Sequence, residues 1–520
     1  MRAPPSHREA RTGASARSRK GACAFEAGCY PRPMTRPAFA FLVSLALASC
    51  GVAQDDGVVD IAYIEPGAVT AEDSEESFAG RRAVLAASRQ GLVRFNAVGE
   101  VVPALAERWI VTDDGRSYIF RITEFDLPDG SRLTAQAVAA SIRQTIRNAD
   151  GTSLGLDLAK VTDVRAMTGR VIEIRLTSPM PAFLQLLAQP ELGVSIADGM
   201  VGPMSLELDG ETRVLEAIPP EARGLAEQPG WEDMTRTVAV TPVAAEQAAR
   251  AFSQGEFDMI LGGRAASLPL AITGALARGT VRLDSPIGLF GFAVARQEGI
   301  LSSAAGREAV AIAIDRSAMV QQLNLGGWAD TTRIVPLNLP GYGEGLEERW
   351  STLTLDQRRA RASAAVSSWE NANGRDAAFT IELPQGPGSD LMFASLRSDM
   401  ERVGIAVSRA APGEGGHLVL KDETARYTGA RWFLNQFNCA VSPGVCSEDA
   451  DFLVQLALDA ASPEEEASYL AEAETTLLAT NLYIPLGAPI RWSQVRAGVE
   501  GFAENAWAFH PLFPLSRAPI

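Results

Sequence analysis

One stretch limits this chain more than any other: residues 91–146, GLVRFNAVGEVVPALAERWIVTDDGRSYIFRITEFDLPDGSRLTAQAVAASIRQTI. Residues 108–112 and 116–122 are extended runs on either side of Asp113-Asp114-Gly115, whose glycine supplies the positive φ that a hairpin turn needs. Tyr118, Phe120 and Ile122 alternate along the second arm, so one face of the hairpin is apolar and must be covered. Pro128-Asp129-Gly130 makes a second turn. Thr134 then stands where it caps a helix in which Val138, Ile142 and Ile146 recur every four residues.

A chain of 520 residues with 47% hydrophobic content can bury large cores and divides into more than one domain. Beyond the N-terminal region, no apolar run approaches the length that crosses a bilayer. Residues 1–33 lack periodicity and read as untranslated or disordered. Met34 then opens an export signal over residues 34–49: Arg36, an apolar core, and Leu47-Ala48-Ser49-Cys50, which resembles a bacterial lipobox with Cys50 as the lipidated residue. The alternative is an ordinary secretory signal with a chance cysteine. Residues 1–49 carry a balance of +6, so removing them takes the net charge from −16 to −22. So acidic a body suits neither nucleic acid nor an anionic membrane surface.

The ordered series GLVRF, VPALAERW, DDGRSYIFRI and DGSRLTAQAVAAS resembles the N-terminal signature of the peptide/nickel-type extracellular solute-binding proteins, the oligopeptide- and dipeptide-binding branch that serves ABC importers. GREAVAIAIDRSAMVQQL, from Gly306, resembles a second signature of that family, a helix buried nearly all round. One departure is Ile122-Thr123-Glu124, where the family has a Leu-Arg pair. The resemblance implies an α/β fold of the periplasmic-binding-protein-like type II, two-lobed, with an additional small inserted α+β domain. Residues 51–78, 186–290 and 488–520 would form lobe I, 79–185 the insert and 291–487 lobe II. It implies a periplasmic monomer of a Gram-negative bacterium, anchored through Cys50, that binds a peptide or peptide-like solute between its lobes and delivers it to an inner-membrane permease with its ATPase. A receptor of the same fold used in sensing rather than transport is the alternative.

In chain order, VVDIAYI from Val58 reads as a first strand running into Glu65-Pro66-Gly67, and the end of such a strand is where an open α/β sheet meets its ligand, so Tyr63 and Glu65 are candidates for the cleft. Residues 161–176 read as a second hairpin turning at Thr168-Gly169. The family's tyrosine-rich arm is shortened here to GETRVLEAIPPEARG. AARAFSQGEFDMILGG reads as helix, turn and strand, and residues 377–410 as a βαβ unit. Asp315-Arg316 reads as a salt-linked helix end. Ser462-Pro463-Glu464-Glu465 is a capping box with proline at the first helical position.

In peptide-binding relatives, the region matching ARWFLNQFNCAVSPGVCSEDADFL carries a carboxylate that pairs with the ligand's terminal ammonium; the resemblance places Asn435 there, with Asp449 or Asp451 as the alternative if the loop aligns a few residues differently. An amide brings no charge, which widens the expected ligand from peptide to peptide-like solute. Trp432, Phe433, Asn435, Phe437 and Asn438 are the candidates on this stretch, with at least two of the aromatics expected in the core. Cys439 and Cys446 should form a disulfide in an oxidising periplasm. Zinc at that pair fails for want of partners, and two histidines in the mature chain make a poor nickel site. No cofactor, metal site or catalytic residue is expected. Gly151-Thr152-Ser153-Leu154-Gly155 fits the hydrolase pattern G-x-S-x-G, but a helix precedes it and a polar loop follows, where a nucleophile elbow needs a strand and then a helix.

Overall fold

A computed structural model describes residues 57–65 and 79–518, apart from residues 125, 128–129, 197–198, 272–278, 344 and 412–413. The export signal, Cys50 and the Pro66-Gly67 turn lie outside the described residues.

Three sheets set the architecture. The strand Val58–Glu65 is a run of apolar and β-branched residues because it lies inside a seven-stranded sheet, parallel to Thr237–Ala244 on one side and Met259–Arg264 on the other. That sheet continues outward through the hairpin Thr212–Ala217 and Met204–Asp209, and in the other direction through Arg491–Val495 and Val281–Asp284. The hairpin is the shortened arm of the sequence, turning at Gly210 with φ of 60° and widening the sheet by two strands.

A five-stranded sheet runs in the order Ala406–Arg409, Ala378–Glu382, Leu418–Thr424, Gly288–Val294, Tyr483–Gly487. Its first two strands are parallel and joined by the helix Pro387–Arg402, so the expected βαβ unit is present. The stretch from Gly306 departs from expectation. Two helices, Ala304–Ala313 and Arg316–Gln321, stand where one continuous helix and a salt-linked end are expected. Asp315 leaves the helical path to cap the second, its carboxylate accepting from Ala318 N–H at 3.0 Å. The Arg316 guanidinium donates to the carbonyls of Pro485 and Ala311, not to Asp315. Ser462 does cap the helix Pro463–Thr480 through Glu465 N–H, but Glu465 reaches back to Ala461 N–H, one residue earlier than a capping box requires.

The third sheet is antiparallel: Ala106–Val111, Ser117–Ile122, Val171–Leu176, Val161–Ala166. Tyr118, Phe120 and Ile122 are buried, as their alternation requires. Helix Ala135–Asn148, capped by the Thr134 hydroxyl, buries Val138 and Ile142. In the chain these elements interrupt the seven-stranded sheet after its first strand, which makes them an insertion in the topological sense.

The chain passes between the two larger sheets twice. Residues 285–287 lead from Val281–Asp284 into Gly288–Val294, and residues 488–490 lead back from Tyr483–Gly487 into Arg491–Val495. Two short parallel links of this kind give a pair of lobes a hinge. Cys439 and Cys446 are joined in a disulfide with Cα atoms 5.1 Å apart. Among the described residues no helix is long and apolar enough to cross a membrane.

Candidate functional site

Strand ends of the two larger sheets meet at a seam. From the first come Tyr63, Gly262, Gly263 and Arg264, and, near the second interlobe link, Arg491 and Trp492; from the second come Asp422, Glu423 and Thr424. They enclose a cavity of about 320 Å³, near the lower end of the ~300–1,000 Å³ usual for small-molecule sites. The glycine pair is a steric necessity. A Cβ on Gly262, whose φ is 81°, would stand 2.6 Å from the Tyr63 ring, and one on Gly263 would stand 2.3 Å from the Trp492 ring. Both rings therefore lie directly on backbone.

The lining is charged and formally balanced: Arg82, Arg264, Arg426 and Arg491 face Glu191, Asp284, Asp422 and Glu423, with His510 beside them. Arg491 Nη1 is 2.6 Å from Asp422 Oδ1, and Arg264 Nη1 donates to the Asp422 carbonyl at 3.0 Å, so one aspartate of the second sheet holds two arginines of the first. Asp284, at the start of the first interlobe link, accepts from Asn505 N–H at 2.9 Å and lies 3.2 Å from His510 Nε2. Burial pushes the Tyr63 phenol above its ordinary value, and the neighbouring arginines only partly oppose this. Burial also lowers the Arg491 guanidinium, with Asp422 opposing.

Two further cavities adjoin. One of about 440 Å³ shares Ile64, Gly262, Arg264, Asp422 and Glu423 with the first and adds Glu65, Gln385 and Lys421. Another, of about 510 Å³, is lined by both interlobe links and by the loop that carries Trp328. The seam is thus a row of connected spaces between the lobes.

The candidates named from sequence divide. Tyr63 and Trp432 line the 320 Å³ cavity. Glu65 lines its neighbour, with both carboxylate oxygens accepting from Ala79 N–H at 2.9 and 3.2 Å. Phe433, Asn435, Phe437 and Asn438 line none of the three cavities. Phe433 and Phe437 are fully buried in the core, Phe437 packing 4.7 Å from the Tyr483 ring. Asn438 turns back on its own loop and accepts from Ala440 N–H at 3.0 Å. Asn435 serves Asp157, donating to its Oδ1 at 2.8 Å. Asp157 also accepts from Arg426 at 2.7 Å and from Tyr427 at 3.4 Å, and its carbonyl accepts from Arg431 at 3.0 Å. The amide at 435 is thus a partner for a buried carboxylate one layer behind the cavity. The helix Ala430–Asn435 shows the cavity Trp432 alone.

Sequence reasoning misses the charged lining. Arg264, Asp422 and Arg491 look like ordinary solvated charges until strand ends far apart in the chain are brought together. The one available signal is position, since each stands at or near the end of a strand. Ser153, the serine of the hydrolase-like pattern, opens the short helix Ser153–Asp157 after a capping Thr152, and its hydroxyl accepts from Arg426 at 2.8 Å. The element directly before it is the helix Ala135–Asn148 and not a strand, while a short helix stands where a polar loop is expected. Among the described residues no group of three or more His, Cys, Asp or Glu side chains is arranged to hold a metal ion.

The sequence matches the family described as "Bacterial extracellular solute-binding proteins, family 5 Middle" over residues 100–212 and 227–429, more than half of the chain. The chain belongs to this family. Its members bind solutes and are not enzymes, which sets the serine pattern aside. The chain is 24% identical to the nickel-binding periplasmic protein of Escherichia coli K12 over 61% of its own length, a match that takes in 64%, just under two thirds, of that relative. It is 24% identical to the probable di/tripeptide-binding protein 5 of Pseudomonas aeruginosa UCBPP-PA14 over 80% of its length and 87% of the relative's. The crystal structure of Haemophilus influenzae OppA in complex with the peptide RPPGFSPFR superposes with a TM-score of 0.72 at 16% identity, covering 88% of this chain and 99% of that one. The two-lobed type II architecture is therefore the fold of this protein.

Proposed function

We propose that the protein is the solute-receiving component of an ABC importer, taking a peptide or peptide-like small solute at the seam and presenting it to an inner-membrane permease and its ATPase. The observation that carries this reading is a charged cavity walled by strand ends of both lobes, with two short links as the only chain crossings between those sheets among the described residues. A guest that touches both walls favours the closed arrangement through contacts the open one lacks, and closure is the signal a permease can read. No bond is made or broken. The Leu47-Ala48-Ser49-Cys50 pattern supports export and anchoring through lipid on Cys50 to a membrane facing the periplasm of a Gram-negative bacterium, with the protein acting as a monomer.

Peptide chemistry is favoured over a bare metal cation. Formally balanced arginines and carboxylates suit a zwitterion, and Asp422, Asp284 and Glu423 already have partners in Arg491, His510 and Lys421. Di- and tripeptide ligands in the names of the Pseudomonas relative, and a peptide in the Haemophilus structure, point the same way. Calorimetric titration of the purified protein with a panel of di- and tripeptides tests the reading. Binding accompanied by a rise in melting temperature is expected, since a ligand specific to the native state at a hundred times its Kd adds about 2.7 kcal/mol of stability. A folded protein that binds none of the panel refutes it.

A further inference from the structure

Two of the seam cavities, of about 320 and 440 Å³, meet along five shared residues: Ile64, Gly262 and Arg264 from the first sheet, Asp422 and Glu423 from the second. Three of the five do not bridge the junction. Gly262 has no side chain, Ile64 is buried in the core, and Glu423 is turned to Lys421 on its own strand at 2.8 Å. The other two do bridge it. Arg264 Nη1 donates to the Asp422 carbonyl at 3.0 Å and stands 3.6 Å from Oδ2 of the same residue. A side chain of one lobe thus crosses to a residue of the other where the two spaces join, and forms a bar between them.

The two ends of this bar are held unequally. Asp422 is fixed: Arg491 Nη1 lies 2.6 Å from its Oδ1 and Arg491 Nη2 donates to its carbonyl at 3.2 Å, and the two side chains are only 10% and 9% exposed. The Arg264 backbone is fixed as well, its carbonyl accepting from Trp492 Nε1 at 3.1 Å and its N–H donating to Ser267 Oγ at 3.3 Å. The Arg264 side chain, in contrast, is 46% exposed. Displacing Asp422 would strand a buried guanidinium, which costs much; swinging the Arg264 arm into solvent gives up a partly exposed contact, which costs little. The bar therefore yields at the arginine.

We infer that Arg264, braced on Asp422, sets the upper size of the solute: the 320 Å³ cavity holds the guest, and the bar keeps it out of the 440 Å³ space that continues to Glu65 and Gln385. Arg264 is in this sense a specificity-determining residue that limits the solute rather than holding it. The inference rests on the solute-binding reading above and adds a length limit to it. The first cavity lies near the lower end of the usual range for small-molecule sites, so the limit falls on short solutes, and a longer one has to displace the arginine before it can enter the second space.

The test uses the purified protein and an equimolar library of dipeptides to hexapeptides, with retained species counted by native mass spectrometry. The wild type should retain short peptides and fall off beyond one length. Arg264→Ala should move that fall-off to longer peptides by at least one residue, enriching the first excluded length about tenfold relative to the shortest, while Arg264→Lys, which keeps a cationic arm, should stay closer to the wild type. Matching melting curves keep a folding defect apart from a change of specificity, and Arg264→Gln gives the same reading should the alanine variant melt early. The same length profile in the wild type and Arg264→Ala, or a wild type with no fall-off up to hexapeptides, overturns the size limit and leaves the peptide reading standing. Loss of every peptide by a folded Arg264→Ala overturns it too, because the arginine would then hold the solute. Retention of no peptide by the wild type overturns the peptide reading and the size limit with it.

Discussion

The Asp157 cluster and the seam cavity draw on the same kinds of side chain and share Arg426, yet they are finished differently. Around Asp157 the donors and acceptors are matched: Arg426, Tyr427 and Asn435 close on the carboxylate, and Arg431 closes on the carbonyl behind it. Among the described residues that line the cavity, Arg82 Nε, Glu191 Oε2 and Trp432 Nε1 have no hydrogen-bond partner. Completed buried polar networks rigidify; incomplete ones cost free energy until a partner arrives. On the proposed function the first region is scaffold and the second a site, and the contrast can be broken experimentally at either end.

The largest effect belongs to the scaffold. Asp157→Ala should cost about 2–4 kcal/mol, because it removes the partner of a part-buried guanidinium and of a buried amide, and urea unfolding should show a lower midpoint. A loss under 1 kcal/mol would mean that the cluster is not the structural tie described here. Next comes the Cys439–Cys446 disulfide, whose small loop follows the helix bearing Trp432. Replacing both cysteines by serine should cost about 2.5 kcal/mol on the chain-entropy model while leaving peptide affinity within about twofold. A larger loss of affinity would move this loop from scaffold to site.

Trp432→Phe sharpens the contrast from the other side. It keeps an aromatic ring in the core but removes the indole N–H and part of the buried indole volume, so stability should fall by about 1–3 kcal/mol, while affinity falls about three- to tenfold by calorimetry. Unchanged affinity would return Trp432 to packing alone. The smallest effect is a slope with pH. Tyr63, Tyr118, Tyr342, Tyr427 and Tyr483 all have phenols pushed above the ordinary value by burial. Above pH ~10 the unfolded chain therefore releases these protons before the native state does, the native state holds more of them, and stability falls as pH rises further. Ultraviolet titration at 295 nm should show most tyrosines ionising only with unfolding; early ionisation of five or more would contradict it.

What the sequence discloses follows the range of the interactions. The hairpin at Tyr118, Phe120 and Ile122, the Thr134 cap and the βαβ unit depend on neighbours within a few residues, so periodicity and turn chemistry expose them. The break at Ile314-Asp315 is local too, but unbroken apolar patterning on both sides conceals it, and only the cap at Asp315 marks it. The seam is a different kind of fact. Asp422 meets Arg264 and Arg491 because two sheets face one another, and nothing near any of the three in sequence announces the meeting. Asn435 illustrates the same limit in reverse. Its match to the carboxylate position of peptide-binding relatives suggests a ligand contact, while its hydrogen-bond partner, Asp157, comes from a distant short helix.

The central claim is that a small solute is clasped in the cavity between the lobes. A crystal structure of the protein grown with a retained tripeptide tests it most directly. The account predicts density between Tyr63 and Trp432. A peptide found instead beside Trp328 at the interlobe links or on an outer face, with the seam cavity empty, would contradict it.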